Sequence, residues 1–206
     1  MWDRLRSSYD QVAATYEAEF AAELDGKPFD RDLLQAFAGR VEDPVADIGC
    51  GPGQVGAFVR RFGRRVVGVD FSPAMALLAA ARLDGAVAAD MRALPFRSGQ
   101  LGGLVAFYSV IHVPRAELGA CLSELHRVLR PGGWLLFSAH EGDQQVELSE
   151  FLGQPVPFVA TFFALPELVA ATQAAGFEVQ SAERRAPYPS EHPTFRLYIG
   201  AIRSSV

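Results

Sequence analysis

The sequence predicts an α/β fold: a doubly wound, mostly parallel sheet of seven strands, helices on both faces, an antiparallel last strand and helices at the N-terminal end. Three observations predict it. Short apolar runs alternate with stretches of helical spacing through the middle of the chain. The first of these runs, Pro44-Val45-Ala46, leads through Asp47-Ile48-Gly49-Cys50-Gly51-Pro52-Gly53 into Gln54-Val55-Gly56-Ala57-Phe58-Val59, a strand, a glycine-rich turn and a helix in succession. The tail carries two strand-like runs with no helix between them, so the last strand is expected to run antiparallel to its neighbour.

Each element has its own signal. Residues 5–24 read as a helix with interruptions, broken at Lys27-Pro28. Asp30 is placed to cap a second helix that carries Leu33, Leu34 and Phe37 and ends at Gly39. Strand one spans 45–48 and its helix runs to about residue 62; strand two spans 65–69 and closes on Asp70. Ser72-Pro73 sets a cap residue before a first-turn proline and opens a helix over 74–83. A short strand at 86–89 closes on Asp90, and 101–108 is a near-continuous apolar run, as expected of a strand covered on both faces. Over 114–129 the residues Leu118, Leu122, Leu125 and Leu129 keep the spacing of one buried helix face. Pro131-Gly132-Gly133 turns into strand five at 134–139. A helix over 166–175 precedes strands at 176–180 and 195–202, joined through the loop 187–193, while 141–157 has no clear periodicity and is the expected mobile loop.

With 206 residues, half of them hydrophobic and 21% charged, the chain has room for one domain with a sizeable core. Its net charge of −5 argues against nucleic acid or an anionic membrane surface as a partner. The local basic run Arg60-Arg61-Phe62-Gly63-Arg64-Arg65 falls between a helix and a strand and reads as a solvated face. The first residues lack the apolar core of a signal peptide, and no apolar run reaches the length of a membrane helix. Cys50 and Cys121 form no metal pattern, so no metal is expected, and Cys121 shares a helical face with leucines. These features fit a reducing cytoplasm, and they leave a homodimer open.

In a sheet of this kind, ligands bind beyond the carboxyl ends of the strands. Those ends fall at Gly49, Asp70, Asp90, residues 108–112 and His140-Glu141. Glycines at alternate positions, free of Cβ, allow a close approach by a nucleotide-like ligand. Asp70 offers acceptors only, which matches the two hydroxyls of a ribose; the alternative, a helix cap, is already supplied by Ser72. Asp90-Met91 puts an acceptor beside a soft apolar surface, suited to an adenine amine and ring face, with a turn aspartate as the alternative. Gly51-Pro52-Gly53-Gln54-Val55-Gly56 also fits the G-x-G-x-x-G of NAD(P)-binding oxidoreductases.

The ordered set Val45-Ala46-Asp47-Ile48-Gly49-Cys50-Gly51-Pro52-Gly53, Gly68-Val69-Asp70-Phe71-Ser72-Pro73, Ala89-Asp90-Met91, Phe107-Tyr108-Ser109-Val110-Ile111-His112 and Leu129-Arg130-Pro131-Gly132-Gly133 resembles the class I S-adenosylmethionine-dependent methyltransferases, over about residues 9–202. It looks most like small-molecule enzymes with a Rossmann-like sheet and an N-terminal helical cap. The resemblance implies S-adenosyl-L-methionine as cofactor. It implies Gly49, Cys50, Gly51 and Gly53 in the loop against the methionine part, Asp70 on the ribose, Phe71 and Met75 near adenine, Asp90 with Met91 at the adenine amine, and Phe107 on the cofactor floor. Asp47 would orient the loop or bind the amino group. Tyr9 and Tyr16, in Tyr9-Asp10-Gln11-Val12-Ala13-Ala14-Thr15-Tyr16, match the family's cap helix, with packing of a helix face as the equal alternative. The chain would then divide into a cap (1–40), a cofactor-binding core (41–140) and a substrate lid with the C-terminal strands (141–206). The antiparallel last strand belongs to this family and not to ordinary dinucleotide dehydrogenases.

Methyl transfer from a sulfonium asks mainly for proximity and in-line approach. A general base helps where the acceptor must lose a proton, and His112, His140 and Glu141 are candidates from their strand-end positions. Tyr108 is placed to position a substrate. The acceptor is expected to be a small molecule, methylated on O, N or C, since the charge is acidic and no Asn-Pro-Pro-Tyr-type tetrapeptide is present. Two other readings remain at this point, an NAD(P)-binding oxidoreductase and a non-catalytic module that senses S-adenosylmethionine.

Overall fold

A computed structural model describes residues 2–204. Its strands are β1 (Val45–Ile48), β2 (Val66–Asp70), β3 (Ala86–Ala88), β4 (Leu101–Phe107), β5 (Leu129–His140), β6 (Gln145–Leu148), β7 (Phe158–Thr161), β8 (Phe177–Arg185) and β9 (Arg196–Arg203). Seven of them form one sheet in the order β3-β2-β1-β4-β5-β9-β8. β1 runs parallel to β2 and β4, with Val45 opposite Val66 on one side and Gly103 on the other, so the order reverses between β1 and β4. β9 runs antiparallel to β5, pairing Trp134 with Ile202 and His140 with Arg196. The fold is thus the mostly parallel sheet with a reversed last strand that the sequence predicts.

The helices are α1 (Trp2–Phe20), α2 (Pro28–Arg40), α3 (Gln54–Arg60), α4 (Pro73–Ala80), α5 (Leu118–Val128) and α6 (Leu165–Ala174). β1 and β4 are buried along their whole length because helices cover both faces. On one face Ile48, Leu104 and Phe137 pack with Leu122, Leu125 and Leu168; on the other Val45 and Val105 pack with Leu34, Phe37 and Val59. The segment before β1 crosses β4 so closely that a Cβ on Gly102 would lie 2.0 Å from the Glu42 carbonyl oxygen, so only glycine fits there.

Three expectations change. Residues 141–157 are not simply a loop: β6 and β7 pair as an antiparallel hairpin, Gln145 opposite Thr161 and Val146 opposite Ala160. Its inner residues Val146, Phe158 and Ala160 pack on the main core, while Gln145 and Glu147 face out. Four-residue strands with one apolar face are too short to show a period. Asp30 caps nothing. α2 starts at Pro28, and Asp30 is fully buried, accepting hydrogen bonds from the hydroxyls of Tyr198 (3.0 Å) and Tyr108 (3.2 Å) and pairing with Arg185 at 3.2 Å. Gly39 lies inside α2, and Arg40 is its last residue.

α1 lies across the carboxyl edge of the sheet. Asp10 fixes it there: its Oδ1 accepts from Ser72 Oγ at 2.6 Å and from the Ala74 N–H at 3.2 Å. Ser72 also caps α4, as its sequence position predicts, with Oγ accepting the Met75 N–H at 3.1 Å. Among the described residues no helix is long and apolar enough to cross a membrane.

Candidate active site

The turn after β1 is built by backbone geometry. The Gly49 and Cys50 N–H groups both donate to the Val69 carbonyl, at 2.7 and 3.1 Å. Gly49, Gly51 and Gly53 all have positive φ (64°, 53° and 89°), which only glycine adopts cheaply. Their open sides differ. A Cβ on Gly49 would strike Ser109, one on Gly53 would lie 3.1 Å from Ala79 Cα, and one on Gly51 would meet nothing nearer than Tyr16 at 3.6 Å and Gln54 Oε1 at 3.9 Å. Gly53 therefore serves the packing of α3 on α4 and does not border the cavity, contrary to the expectation for it. Cys50 borders the larger compartment, with Sγ on the Gly51 carbonyl. Asp47 points back along β1: its Oδ2 accepts the Gly56 N–H at 2.8 Å and pins the start of α3, while burial pushes its carboxyl up to about 7.

Asp70 joins two turns. Its Oδ2 accepts the Gly51 N–H and its Oδ1 the Ser72 N–H, each at 2.8 Å, and burial raises it to about 6 against those bonds. It borders a narrow compartment with Phe71, Met75, Asp90, Met91 and Phe107, roofed by Trp2, Leu5 and Tyr9 of α1. Asp90 is not free. Its carboxylate holds the Arg92 guanidinium, 2.6 Å from Nη2, and although burial works upward these bonds keep it below the usual carboxylate range. Arg92 stacks on Trp2, 3.8 Å from the ring centroid.

A second compartment of about 550 Å³ opens beside the first. Tyr9, Tyr16, Gly49, Gly51, Phe107, Tyr108 and His112 border both. Phe151, Phe158 and Phe162 of the hairpin region, with His140 and His192, wall its far side. Tyr108 sits at positive φ (52°), unusual for a bulky residue, and is held there by its N–H on Ser138 Oγ and its hydroxyl on Asp30 and Tyr198.

His112 is buried between two partners. Nδ1 lies 2.7 Å from the Val159 carbonyl, which can only accept, so Nδ1 carries the proton and the Nε2 lone pair accepts the Tyr9 hydroxyl at 2.8 Å. Burial holds the imidazole neutral, down to about 4. His140 stacks on Phe162 (5.2 Å), bonds Thr194 Oγ1 through Nδ1 at 2.8 Å, and is lowered to about 3 by burial and then by Arg196.

The structure gathers the nominated site residues around these compartments, except Gly53 and the candidate base Glu141. Glu141 turns away into an ion pair with Arg184 at 2.8 Å. Residues without a sequence signal join in: Gln54, Glu23, Lys27, Glu191, His192 and Arg196 all border the larger compartment. They come from the first residue of α3, the turn between α1 and α2, the loop before β9 and the first residue of β9, which only the folded sheet brings together.

This sheet, its glycine turn and a paired cavity at the reversal point define a class I methyltransferase fold. The methyltransferase-domain family model matches residues 46–137. The chain is 30% identical over 207 residues to a malonyl-[acyl-carrier protein] O-methyltransferase of Herminiimonas arsenicoxydans, covering 98% of this chain and 74% of that protein. It is 32% identical over 195 residues to the biotin biosynthesis bifunctional protein BioHC of Saccharophagus degradans, covering 88% of this chain but spanning only 34% of that protein's length. Among solved structures, the Burkholderia thailandensis 1,6-didemethyltoxoflavin-N1-methyltransferase, with 1,6-didemethyltoxoflavin and S-adenosylhomocysteine bound, superposes with a TM-score of 0.73 at 25% identity, over 98% of this chain and 88% of that one. The chain belongs to the S-adenosylmethionine-dependent methyltransferases. It is an enzyme of that family, and S-adenosylmethionine is its cofactor.

Proposed function

We propose that this enzyme methylates a small free acceptor held in the larger compartment, with the cofactor's adenosine in the narrow one. The observation that carries the reading is the junction: Tyr9, Gly51, Phe107, Tyr108 and His112 border both compartments, so a donor on one side faces an acceptor on the other. The chemistry of the donor set supports the cofactor. Asp70 retains acceptor capacity for a ribose, Phe71, Met75 and Met91 offer flat or soft apolar surface, and Gly51 leaves its face open. Asp90 takes the adenine amine only by sharing its carboxylate with Arg92. Tyr16 closes the loop side of the junction. In this reading residues 1–40 are the cap, 41–140 hold the cofactor and 141–206 carry the acceptor side.

S-adenosylmethionine supplies a methyl group already activated on sulfur. The protein's part is to align, to exclude water and to take a proton. α1 and the β6–β7 hairpin meet over the junction, where Phe151 contacts Tyr9 and Tyr16 at 5.9 and 6.4 Å between ring centroids. An acceptor hydroxyl that displaces the Tyr9 hydroxyl meets the Nε2 lone pair of His112, while the Val159 carbonyl steadies the imidazolium through Nδ1–H. His140, with its ring against Phe162, positions the far side of the acceptor.

Two curated relatives described above differ in length from this chain, and one is named for a malonyl group on an acyl carrier protein. A free acceptor is favoured here by charge. The two cations that border the compartment are paired, Lys27 with Glu23 (2.5 Å) and Glu191 (3.5 Å), and Arg196 with Glu191 (3.6 Å). Glu19, Glu147 and Glu150 are exposed on the elements around it, which would repel an acidic carrier. Both cysteines are free and buried, which suits a reducing cytoplasm. The test is formation of S-adenosylhomocysteine with free phenols, amines and carboxylates beside malonyl-loaded carrier protein. Turnover confined to the carrier substrate overturns the free-acceptor reading.

A further inference from the structure

We propose that Gln54, oriented by Glu23, receives the α-ammonium of the cofactor's amino-acid tail; this rests on the methyl-transfer reading above. Among the described residues, two buried side-chain polar atoms lack a hydrogen-bond partner, Gln54 Oε1 and Arg64 Nε. Arg64 lies before β2, at the edge of the sheet opposite the site. Gln54 stands at the glycine turn itself, as the first residue of α3.

The orientation of its amide is determined. Nε2 lies 2.9 Å from Glu23 Oε1, and an ionised carboxylate only accepts, so the NH₂ faces Glu23 and the carbonyl oxygen faces away from it. Glu23 is in turn held by Lys27 at 2.5 Å. The orphan oxygen sits 3.9 Å from the Cβ position that Gly51 leaves empty, within reach of a ligand that passes over that glycine.

Acceptors predominate at this corner, where the Lys27 ammonium is already paired with Glu23. Gln54 Oε1 and the carboxyl groups of Glu23 and Asp47 border the same compartment beside Gly51. A group that is cationic and rich in N–H donors complements them; a carboxylate does not. Asp47 is held through Oδ2 by the Gly56 N–H and so orients the loop, whereas Gln54 Oε1 beside Gly51 is buried with no donor at all. A buried carbonyl without a donor carries a desolvation cost that an ammonium would remove.

Calorimetry with S-adenosylhomocysteine and its analogue lacking the α-amino group tests this. Wild type should bind S-adenosylhomocysteine about tenfold more tightly than the analogue, the scale of one charge-assisted hydrogen bond. Gln54→Met, close in volume, should remove that preference by weakening S-adenosylhomocysteine alone. Glu23→Gln, which frees the amide to turn over, should reduce the preference in part and serves if the methionine variant does not fold. Equal weakening of both ligands would make Gln54 a packing residue, and an unchanged preference would mean that water satisfies Oε1; either overturns the proposal. Failure of wild type to bind either ligand would instead overturn the methyl-transfer reading beneath it.

Discussion

The imidazole of His112 has one proton to place, and the Val159 carbonyl decides where. That leaves an unprotonated lone pair at the junction, on a ring whose ordinary value is lowered to about 4 by burial. A histidine depressed in this way stays neutral as pH falls through the usual imidazole range. Its contribution to stability is present above about 6.5 and is lost as pH drops toward 4. Turnover should therefore be flat from about pH 8 to 5 in so far as His112 governs it; a limb near 6.5 in kcat would show instead that the ring is solvated during turnover. His112→Ala should lower kcat by about 10²–10⁴-fold while leaving S-adenosylhomocysteine affinity nearly unchanged, and equal losses in both would reduce His112 to a support of the pocket. Asp70 titrates the other way. Burial raises it to about 6, so the apo protein gains stability from it at low pH and loses that gain as pH rises through 6. A ligand hydroxyl donates best to its ionised form. Cofactor affinity should then fall as pH is lowered through about 6, and Asp70→Ala should abolish that limb and cost about 1.5–3 kcal/mol of binding, read by calorimetry. Asp70 was legible because it closes β2, and His112 because it lies in the short turn that follows β4. The engagement of Asp90 by Arg92 was not, since a sequence does not say which way a guanidinium turns.

At the scale of elements, the cap and the hairpin matter more than their lengths suggest. α1 carries few buried apolar residues, Leu5, Val12 and Ala13 among them, and it is fastened by Asp10 to the start of α4. Asp10→Ala leaves Ser72 Oγ and the Ala74 N–H without that partner and should cost about 1 kcal/mol. Hydrogen exchange should quicken in α1 and at the start of α4 while β1 and β4 keep their protection; uniform loss across the sheet would contradict a local fastening. The helix itself was readable over residues 5–24, and Tyr9 and Tyr16 were marked by the family resemblance, but Asp10 was not, because nothing in a helix period marks a residue that caps a different helix. The hairpin was missed for another reason. Its tip, Leu152-Gly153, takes positive φ at both residues, 52° and 72°, with Phe151 and Gln154 exchanging backbone hydrogen bonds at 2.9 and 3.0 Å. That is the turn usually announced by Asn-Gly or Asp-Gly, and leucine in its first place hides the signal.

For the whole molecule, the alternation of strands and helices sufficed to place β1, β2 and β4 and thus the edge where ligands gather, because burial on both faces leaves an apolar run that little else produces. What alternation could not supply is the closure of that edge, since it depends on α1 and the hairpin reaching each other through Tyr9, Tyr16 and Phe151. The sheet has its own pairing without α1. Its two cores draw on α2 through α6, and the nearest core residue on the N-terminal side, Leu24, lies beyond the end of α1. Removing residues 1–20 should therefore keep the strand content in circular dichroism and a cooperative unfolding transition at lower temperature. The same truncation strips Trp2, Leu5 and Tyr9 from the roof over Asp70, Phe71 and Met75, and Tyr16 from the junction. S-adenosylhomocysteine should then bind much more weakly and dissociate faster, and methyl transfer should cease, since the aligned donor would stand in water. A truncated protein that retains cofactor affinity but not transfer would assign the cap to the acceptor alone. One that does not fold would make α1 part of the core, against the packing described here.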